Sequence, residues 1–522
     1  MTVNQRQYSA FYGGSISIIC GLFYALSFPP FNLWFLIFPS LFFFYKTLLQ
    51  NRSPFMSGFI FATISYGIVL YGIKSIGYEA WIPLTIFMGF MYGGFGRIFQ
   101  YASEKMNNNV FILISILSAF DLLRAYFPFG GFPWGYPSTV LISGLTINFF
   151  RHFGPIGFSL IVQSLVLLGV LLVTDKKTRE RVNVFNLRYY LVFFFIIVFQ
   201  FLLTINNEGS DFQEMSKGDI EVSIVQGNSP CPGAKNKCDN ERQIIYESHL
   251  NLTKSISTES IYIPDTNPRL IIWAESSSGF SNDPGINDRT LEEISIEANR
   301  LRASFLIGGD RPIGSNNFEN YGVFIDENGQ ITGEYLKQHP VPFGEYIPFR
   351  KYLDWIPPLA LVPRDMVRGG GQEIFSVGKN GIKISSVISF EGSFERYIRR
   401  SVQEGAELIV ILTNQASYGK SGMSDQFILM SRANAVSNHR DIVHAAITGK
   451  SAFISGIDGK VYSSTELFEA DISTELLTGY TAETRYSKFG NYLNYLAILF
   501  GVIQYLYLRF IDRETLNSSS LQ

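Results

Sequence analysis

The sequence predicts an α-helical membrane bundle of about eight transmembrane helices that carries a layered α/β domain, and three observations predict it. Charged residues make up only 16% of the 522-residue chain, where an ordinary soluble protein has about a quarter. The apolar residues fall into long runs up to about residue 206, many of them Phe or Tyr. Beyond that, to about residue 487, short Ile- and Val-rich runs alternate with amphipathic stretches, the pattern of strands and helices in layers. The mean hydropathy of +0.15 averages over these two unlike parts. A net charge of −2 gives no reason to expect a nucleic-acid partner.

A helix needs roughly 20 apolar residues to cross a bilayer, and runs near that length lie at 11–28, 33–49, 55–73, 81–99, 110–127, 154–173 and 187–205. One such run is compatible with a buried core helix; seven in series with few charges read as spans. No small-residue cleavage site follows the first, so it is expected to remain as a span. Basic residues set the expected orientation. Arg6 precedes the first span, Lys46 and Arg52 follow the second, Arg97 and Lys105 follow the fourth, and Lys176, Lys177, Arg179, Arg181 and Arg188 follow the sixth. The alternate connections are poorer in them. The positive-inside rule then places the N-terminus in the cytoplasm and the segment after the seventh span outside. A last span at 492–508, followed by Arg509 and Arg513, returns the C-terminus to the cytoplasm. The expected divisions are 1–206 (transmembrane), 207–487 (extracytoplasmic α/β domain) and 488–522 (last span and tail).

Within the α/β domain, strands are expected at 220–225, 270–273, 305–308, 322–325, 382–388, 408–412 and 442–446. Asn328-Gly329 and Asp458-Gly459 read as hairpin turns. Helical spacing of apolar residues appears at 286–303, 393–404 and 425–438, with Ser393 as a cap for the second. Cys20 lies in an apolar run and reads as a small buried hydrophobe. Cys231 and Cys238 are a candidate disulfide if their loop lies outside the cytoplasm. Neither the cysteines nor the His439/His444 pair has the spacing of a metal site, and no metal or organic cofactor is expected, because a base, a cation and a nucleophile suffice for the chemistry read below.

Three stretches place a reactive side chain just past a strand, where α/β enzymes build their sites. Glu275 ends Ile271-Ile272-Trp273-Ala274-Glu275, and desolvation there would raise its pKa toward that of a general base. Lys337 leads into His339-Pro340-Val341-Pro342-Phe343-Gly344-Glu345-Tyr346, and Ser389 stands in Val387-Ile388-Ser389-Phe390-Glu391 ahead of a helix. Taken singly, each is a weak signal, and a Glu or Lys at a strand end reads as a solvated surface charge. In this order and spacing they resemble the nitrilase (carbon–nitrogen hydrolase) superfamily, and their wording resembles the apolipoprotein N-acyltransferase family.

Further matches to that family run along most of the chain. They are Leu26-Ser27-Phe28-Pro29-Pro30-Phe31-Asn32-Leu33-Trp34, Asp121-Leu122-Leu123-Arg124, Gly131-Phe132-Pro133-Trp134-Gly135, Val225-Gln226-Gly227-Asn228, Thr413-Asn414-Gln415-Ala416-Ser417-Tyr418-Gly419, and Arg432-Ala433 through Arg440 with Thr448-Gly449.

The resemblance implies a four-layer αββα nitrilase sandwich inserted before the last helix, in the inner membrane of a diderm bacterium. It implies Glu275 as general base, Lys337 as the cation for the tetrahedral oxyanion and Ser389 at the nucleophile position, with Glu345 and Glu391 in support. The implied reaction moves an acyl chain from a phospholipid to the amine of a diacylglyceryl-modified apolipoprotein, by way of an acyl-enzyme. The chain departs from the family in having Ser389-Phe390-Glu391 for Cys-Tyr-Glu, Ser417 for a Trp, Ser437 for a Glu, and the Cys231–Cys238 loop in place of a tryptophan. Three readings therefore stand: an N-acyltransferase working through a serine ester, a non-catalytic paralogue that binds lipoprotein or phospholipid, and a membrane-tethered C–N hydrolase. Residues 352–362, with Trp355, Leu359 and Leu361, are expected either to form an apolar lid near the lipid or to pack the domain.

Overall fold

The computed structural model describes residues 3–174, 216–231, 238–262, 268–353, 355–378 and 381–519. Among the described residues seven long helices form the bundle: α1 (Val3–Leu26), α2 (Ile37–Gln50), α3 (Pro54–Val69), α4 (Tyr78–Lys105), α5 (Val110–Tyr126), α6 (Ile147–Val173) and, after the α/β domain, the helix Tyr492–Ser519, which packs on α5. Tyr78–Lys105, Ile147–Val173 and Tyr492–Ile511 are long and apolar enough to cross a membrane, while Gly13–Leu26, Trp34–Gln50 and Pro54–Val69 are shorter apolar helices. The expected span at 187–205 and the basic cluster from Lys176 to Arg188 lie outside the described residues. The span expected to start at residue 154 begins a further two turns back at Ile147, because Gly154 (φ 66°) and Pro155 kink the helix without ending it.

Small residues let α3 and α4 touch: a Cβ on Gly58 would lie 2.1 Å from the carbonyl oxygen of Tyr92. The two charges of α5 are buried and paired. Arg124 faces Asp121 at 3.7 Å and donates to Tyr92 Oη (2.9 Å) and to the carbonyl of Trp134 (2.5 Å). Gln163 donates to Asp121 Oδ2 at 2.6 Å. The Asp-x-x-Arg motif thus fastens the Gly131–Gly135 loop to the bundle.

The α/β domain has two sheets. The first runs β13-β1-β2-β3-β4-β5, from β1 (Ser216–Gln226), β2 (Arg269–Gly279), β3 (Ser304–Ile313), β4 (Asn317–Ile325), β5 (Ile331–Leu336) and β13 (Asp471–Tyr480), with β6 (Asp365–Met366) beside β4. The second runs β12-β11-β10-β9-β8-β7, from β7 (Ile374–Val377), β8 (Ile382–Ile388), β9 (Leu408–Thr413), β10 (Ile442–Ala446), β11 (Ala452–Ile454) and β12 (Val461–Ser464). Their facing side chains, Ile224, Ile272 and Leu306 with Ile388, Val410 and Leu412 among them, make a dry core between the sheets.

Helices α7 (Glu241–Ser255) and α8 (Asp288–Leu301) cover the outside of the first sheet, where Tyr246 and Ile294 pack with Trp273 and Phe305. Helices α9 (Glu395–Gln403) and α10 (Met423–Asn438) cover the second, where Ile398 and Ala435 pack with Ile409 and Ile411. The order of layers is αββα.

All seven expected strands form, and both expected turns close hairpins, β4 to β5 and β11 to β12. The cap expected from Ser393 does not form. Residues Ser389–Ser393 make a separate 3₁₀ turn, α9 starts after Phe394, and the buried hydroxyl of Ser393 has no hydrogen-bond partner. Cys231 and Cys238 are disulfide-bonded, with Cα atoms 5.9 Å apart.

Candidate active site

Glu275 lies on β2 where the β2–β3 register shifts, and Ser276 beside it has a positive φ of 62°. That irregularity frees the Glu275 carboxylate from the strand pattern, and both sheets then hold it. Oε1 accepts from Asn320 Nδ2 on β4 at 2.7 Å, and Oε2 accepts from the N–H of Asn414, just past β9, at 2.6 Å. Lys337 follows β5 directly; its own N–H donates to the carbonyl of Asn320 at 2.9 Å, and its side chain is fully buried. Its ammonium lies 3.5 Å from Glu275 Oε1 and 2.5 Å from Glu345 Oε1. The other oxygen of Glu345 accepts from the N–H of Val341 at 2.8 Å, closing the loop that carries it.

Ser389 follows β8 and opens the 3₁₀ turn with φ +55°. β-carbon strain at such an angle is tolerated where the surroundings fix it, and here Glu391 fixes it. The fully buried Glu391 carboxylate accepts from the N–H groups of Ile388 (2.8 Å), Gln338 (2.5 Å) and His339 (2.8 Å) and from Tyr335 Oη (2.8 Å). One side chain thereby ties the Ser389 turn to the loop that begins at Lys337. Ile388 and Leu412 pair in the parallel β8–β9 ladder, so Ser389 and Asn414 leave neighbouring strands at the same end. Lys337 is in direct contact with Glu275 and Glu345, Glu391 joins the lysine loop to the serine turn, and Ser389 on that turn is half-buried.

The electrostatics follow from burial. Desolvation lifts Glu275 above the ordinary carboxylate range; Lys337 pulls it down and Glu345 pushes it up. Burial works against the Lys337 ammonium, but Glu345 and then Glu275 outweigh it and hold it protonated above its usual value. Burial also raises Glu391, in opposition to its hydrogen bonds. Tyr418, whose ring meets Phe427, is pushed up to about 12 by burial and next by the charge of Glu275. A carboxylate raised above its ordinary range beside a fixed cation, tied through Glu391 to a turn that carries a hydroxyl, has the group types that nucleophilic acyl chemistry uses. Among the described residues no group of three His, Cys, Asp or Glu side chains is placed to hold a metal ion.

Sequence reasoning did not identify Asn320, Tyr335 or Tyr418 as parts of this group. Asn414 and Tyr418 stand in the Thr413–Gly419 block that matches the family, but the sequence assigns neither a role. Asn320 was not legible, since only the β4 register brings it to Glu275. The apolar segment 352–362 is strongly exposed: Tyr352, Trp355 and Leu361 are each about two-thirds or more open, and Trp355 reaches 78%.

Two family models match the chain: residues 20–171 fit "Apolipoprotein N-acyltransferase N-terminal domain", and residues 243–486 fit "Carbon-nitrogen hydrolase". An apolipoprotein N-acyltransferase of Rickettsia prowazekii is 27% identical over 424 residues, 79% of this chain and 78% of that protein. One of Haemophilus ducreyi is 22% identical over 521 residues, covering 94% of this chain and 96% of that protein. One of Aquifex aeolicus is 24% identical over 457 residues, 84% of this chain and 92% of that protein.

Proposed function

Because the chain belongs to the apolipoprotein N-acyltransferase family, we propose that it transfers an acyl chain from a phospholipid to the N-terminal amine of diacylglyceryl-modified lipoproteins, with Ser389 as the acyl carrier. The observation that carries this is the junction made by Glu391, which joins the Ser389 turn to the Lys337 loop, while Lys337 itself touches Glu275.

In the first half-reaction Glu275 takes the Ser389 hydroxyl proton as Oγ bonds to the ester carbonyl carbon of the phospholipid. Lys337 faces the negative charge that develops on the carbonyl oxygen. The ester C–O bond then breaks, the departing glycerol oxygen receives the proton from Glu275, and a lysophospholipid leaves. In the second half the lipoprotein amine attacks the Ser389 ester and gives its proton to Glu275. The C–Oγ bond breaks, Oγ is reprotonated, and an amide results.

We take the bundle to cross the membrane about eight times, with both termini cytoplasmic and the α/β domain on the periplasmic face of the inner membrane. The disulfide Cys231–Cys238 supports that side, since disulfides persist in oxidising compartments. The exposed segment with Tyr352, Trp355 and Leu361 supports a lid that meets the lipid.

The test is mass spectrometry of the Ser389 peptide after incubation with phospholipid, followed by addition of a diacylated lipopeptide. An acyl adduct that the lipopeptide discharges is expected; no adduct, together with no rescue of a strain depleted of its own N-acyltransferase, rejects the proposal. One observation favours a second reading, a non-catalytic protein that binds lipoprotein or phospholipid: an alcohol is much harder to deprotonate than a thiol, and the base here is a carboxylate.

A further inference from the structure

We infer that Gln426 is a positioning residue which, through Trp134, sets the Ser389 turn at a fixed place on the membrane bundle, so that it governs reaction with a bilayer-held acyl donor. The inference rests on the acyl-transfer reading of the same site. Gln426 is on the first turn of α10 and only 4% exposed. A glutamine amide offers two N–H donors and a carbonyl acceptor, and here all three engage the bundle. Nε2 donates to the carbonyls of Pro29 (3.0 Å) and Val69 (2.9 Å), and Oε1 accepts from the Trp134 indole at 2.6 Å. Pro29 and Trp134 belong to the connections after α1 and α5, and Val69 is the last residue of α3, so all three lie at the C-terminal ends of helices of the bundle.

The contact then reaches the reacting residue. Trp134 lies parallel to Phe390, the residue after Ser389, with ring centroids 6.4 Å apart and planes 18° apart; Phe132 packs on the same ring at 6.2 Å. Phe427, next to Gln426, meets the Trp134 ring edge-on at 4.9 Å. At its other end the segment that carries Gln426 begins with Asn414, whose N–H holds Glu275. The segment is pressed onto the bundle along its length: a Cβ on Gly422 would lie 2.6 Å from Pro30, and one on Gly72 would lie 2.2 Å from Met423. Proton acceptor and acyl carrier are thus indexed to the same end of the bundle, and misplacement of a reacting atom by an ångström costs about 100-fold.

The full-length protein in vesicles of phosphatidylethanolamine and phosphatidylglycerol, with Gln426→Met and Trp134→Phe, provides the test. Both variants keep the bulk and lose hydrogen bonds. Two readouts are taken: Ser389 acylation from the vesicle phospholipid and from a water-soluble p-nitrophenyl butyrate, and amide hydrogen exchange in 388–394 against 408–413. The expected result is a loss of about tenfold or more with the vesicle donor, little change with the soluble ester, and faster exchange confined to 388–394. Equal losses with both donors, or exchange that rises equally in both peptides, would make Gln426 a merely structural residue and overturn the inference. If the unaltered protein acylates with neither donor, the acyl-transfer reading has failed; exchange in 388–394 that stays at the unaltered rate in both variants then rejects the positioning role as well.

Discussion

Lys337 stands 2.5 Å from Glu345 and 3.5 Å from Glu275, so the buried ammonium is paired first with the carboxylate that carries no assigned proton transfer. That order matters for the chemistry. Glu345 absorbs much of the cation's pull and, as a nearby negative charge, raises Glu275 further. The proposed base stays basic because a second acid stands beside it.

Glu345→Gln is expected to move the acid limb of the acylation rate to lower pH. With Glu345 neutral, Lys337 acts on Glu275 alone and lowers its pKa, so the carboxylate stays ionised to lower pH and is a weaker base. The plateau rate is expected to fall about tenfold or more. A pH–rate profile checks both; an unshifted acid limb removes the coupling.

Ser389→Cys is expected to raise the rate of adduct formation from phospholipid by about tenfold or more, since a thiol ionises near pH 8.5 and is the stronger nucleophile. Ser389→Ala is expected to abolish the adduct. Intact-mass measurement reads both, and an adduct that survives in Ser389→Ala places the acyl group elsewhere.

Glu391→Ala would leave three backbone N–H groups and the Tyr335 hydroxyl without their acceptor in a buried site. Each such loss costs about 1–3 kcal/mol, less any that water recovers, so a clear drop in Tm in detergent is expected with loss of adduct formation. Unchanged Tm would mean that the junction is not under load.

Glu395, at the start of α9, is buried against the bundle, and Asn491 donates to it at 2.7 Å. Burial pushes its carboxyl up to about 7, while Asn491, Arg396 and Arg399 pull it down and Asp121 adds to the rise. An acid raised on folding binds more protons in the native state, so its contribution falls as pH rises from about 4.5 to about 7 and is flat beyond. Buried His249 and His339, depressed to about 4 and about 3, change stability in the opposite sense below pH 6.5. The signal is therefore the difference between the unaltered protein and Glu395→Gln. The variant is expected to gain Tm relative to it at pH 8 and to lose that advantage at pH 5; a pH-independent difference would show that Glu395 does not titrate in this window.

Trp355→Ser with Leu361→Ser is expected to reduce photo-crosslinking to vesicle lipid by severalfold, because both side chains are about two-thirds or more exposed and apolar. Crosslinking at the unaltered level would leave these residues as ordinary surface.

Much of the fold was legible because its signals are local. Buried strands such as 382–388 and 442–446 carry Ile and Val residues in a short stretch bounded by turn signals, and the expected bounds agree with the strands that form. Short, half-exposed strands such as Ile374–Val377 and Val461–Ser464 have no such run and were missed. Ser393 shows the limit of a local rule: it has the chemistry of a cap, but Glu391 is claimed by two strand-end segments, and the turn this enforces shifts the helix start to Glu395.

The order of reactive types along the chain, a carboxylate, a lysine, then a hydroxyl ahead of a glutamate, was present in the sequence, as was the division between an apolar bundle and a mixed domain. Composition and motif order depend only on which residues follow one another. Tertiary structure alone decided that Asn320 and Asn414 grip the same carboxylate, that Lys337 answers to Glu345 before Glu275, and that Gln426 reaches Pro29, Val69 and Trp134 of the bundle at once. Those are distances between atoms far apart in the chain, and they exist only once two sheets and a helical bundle have fixed their registers against one another.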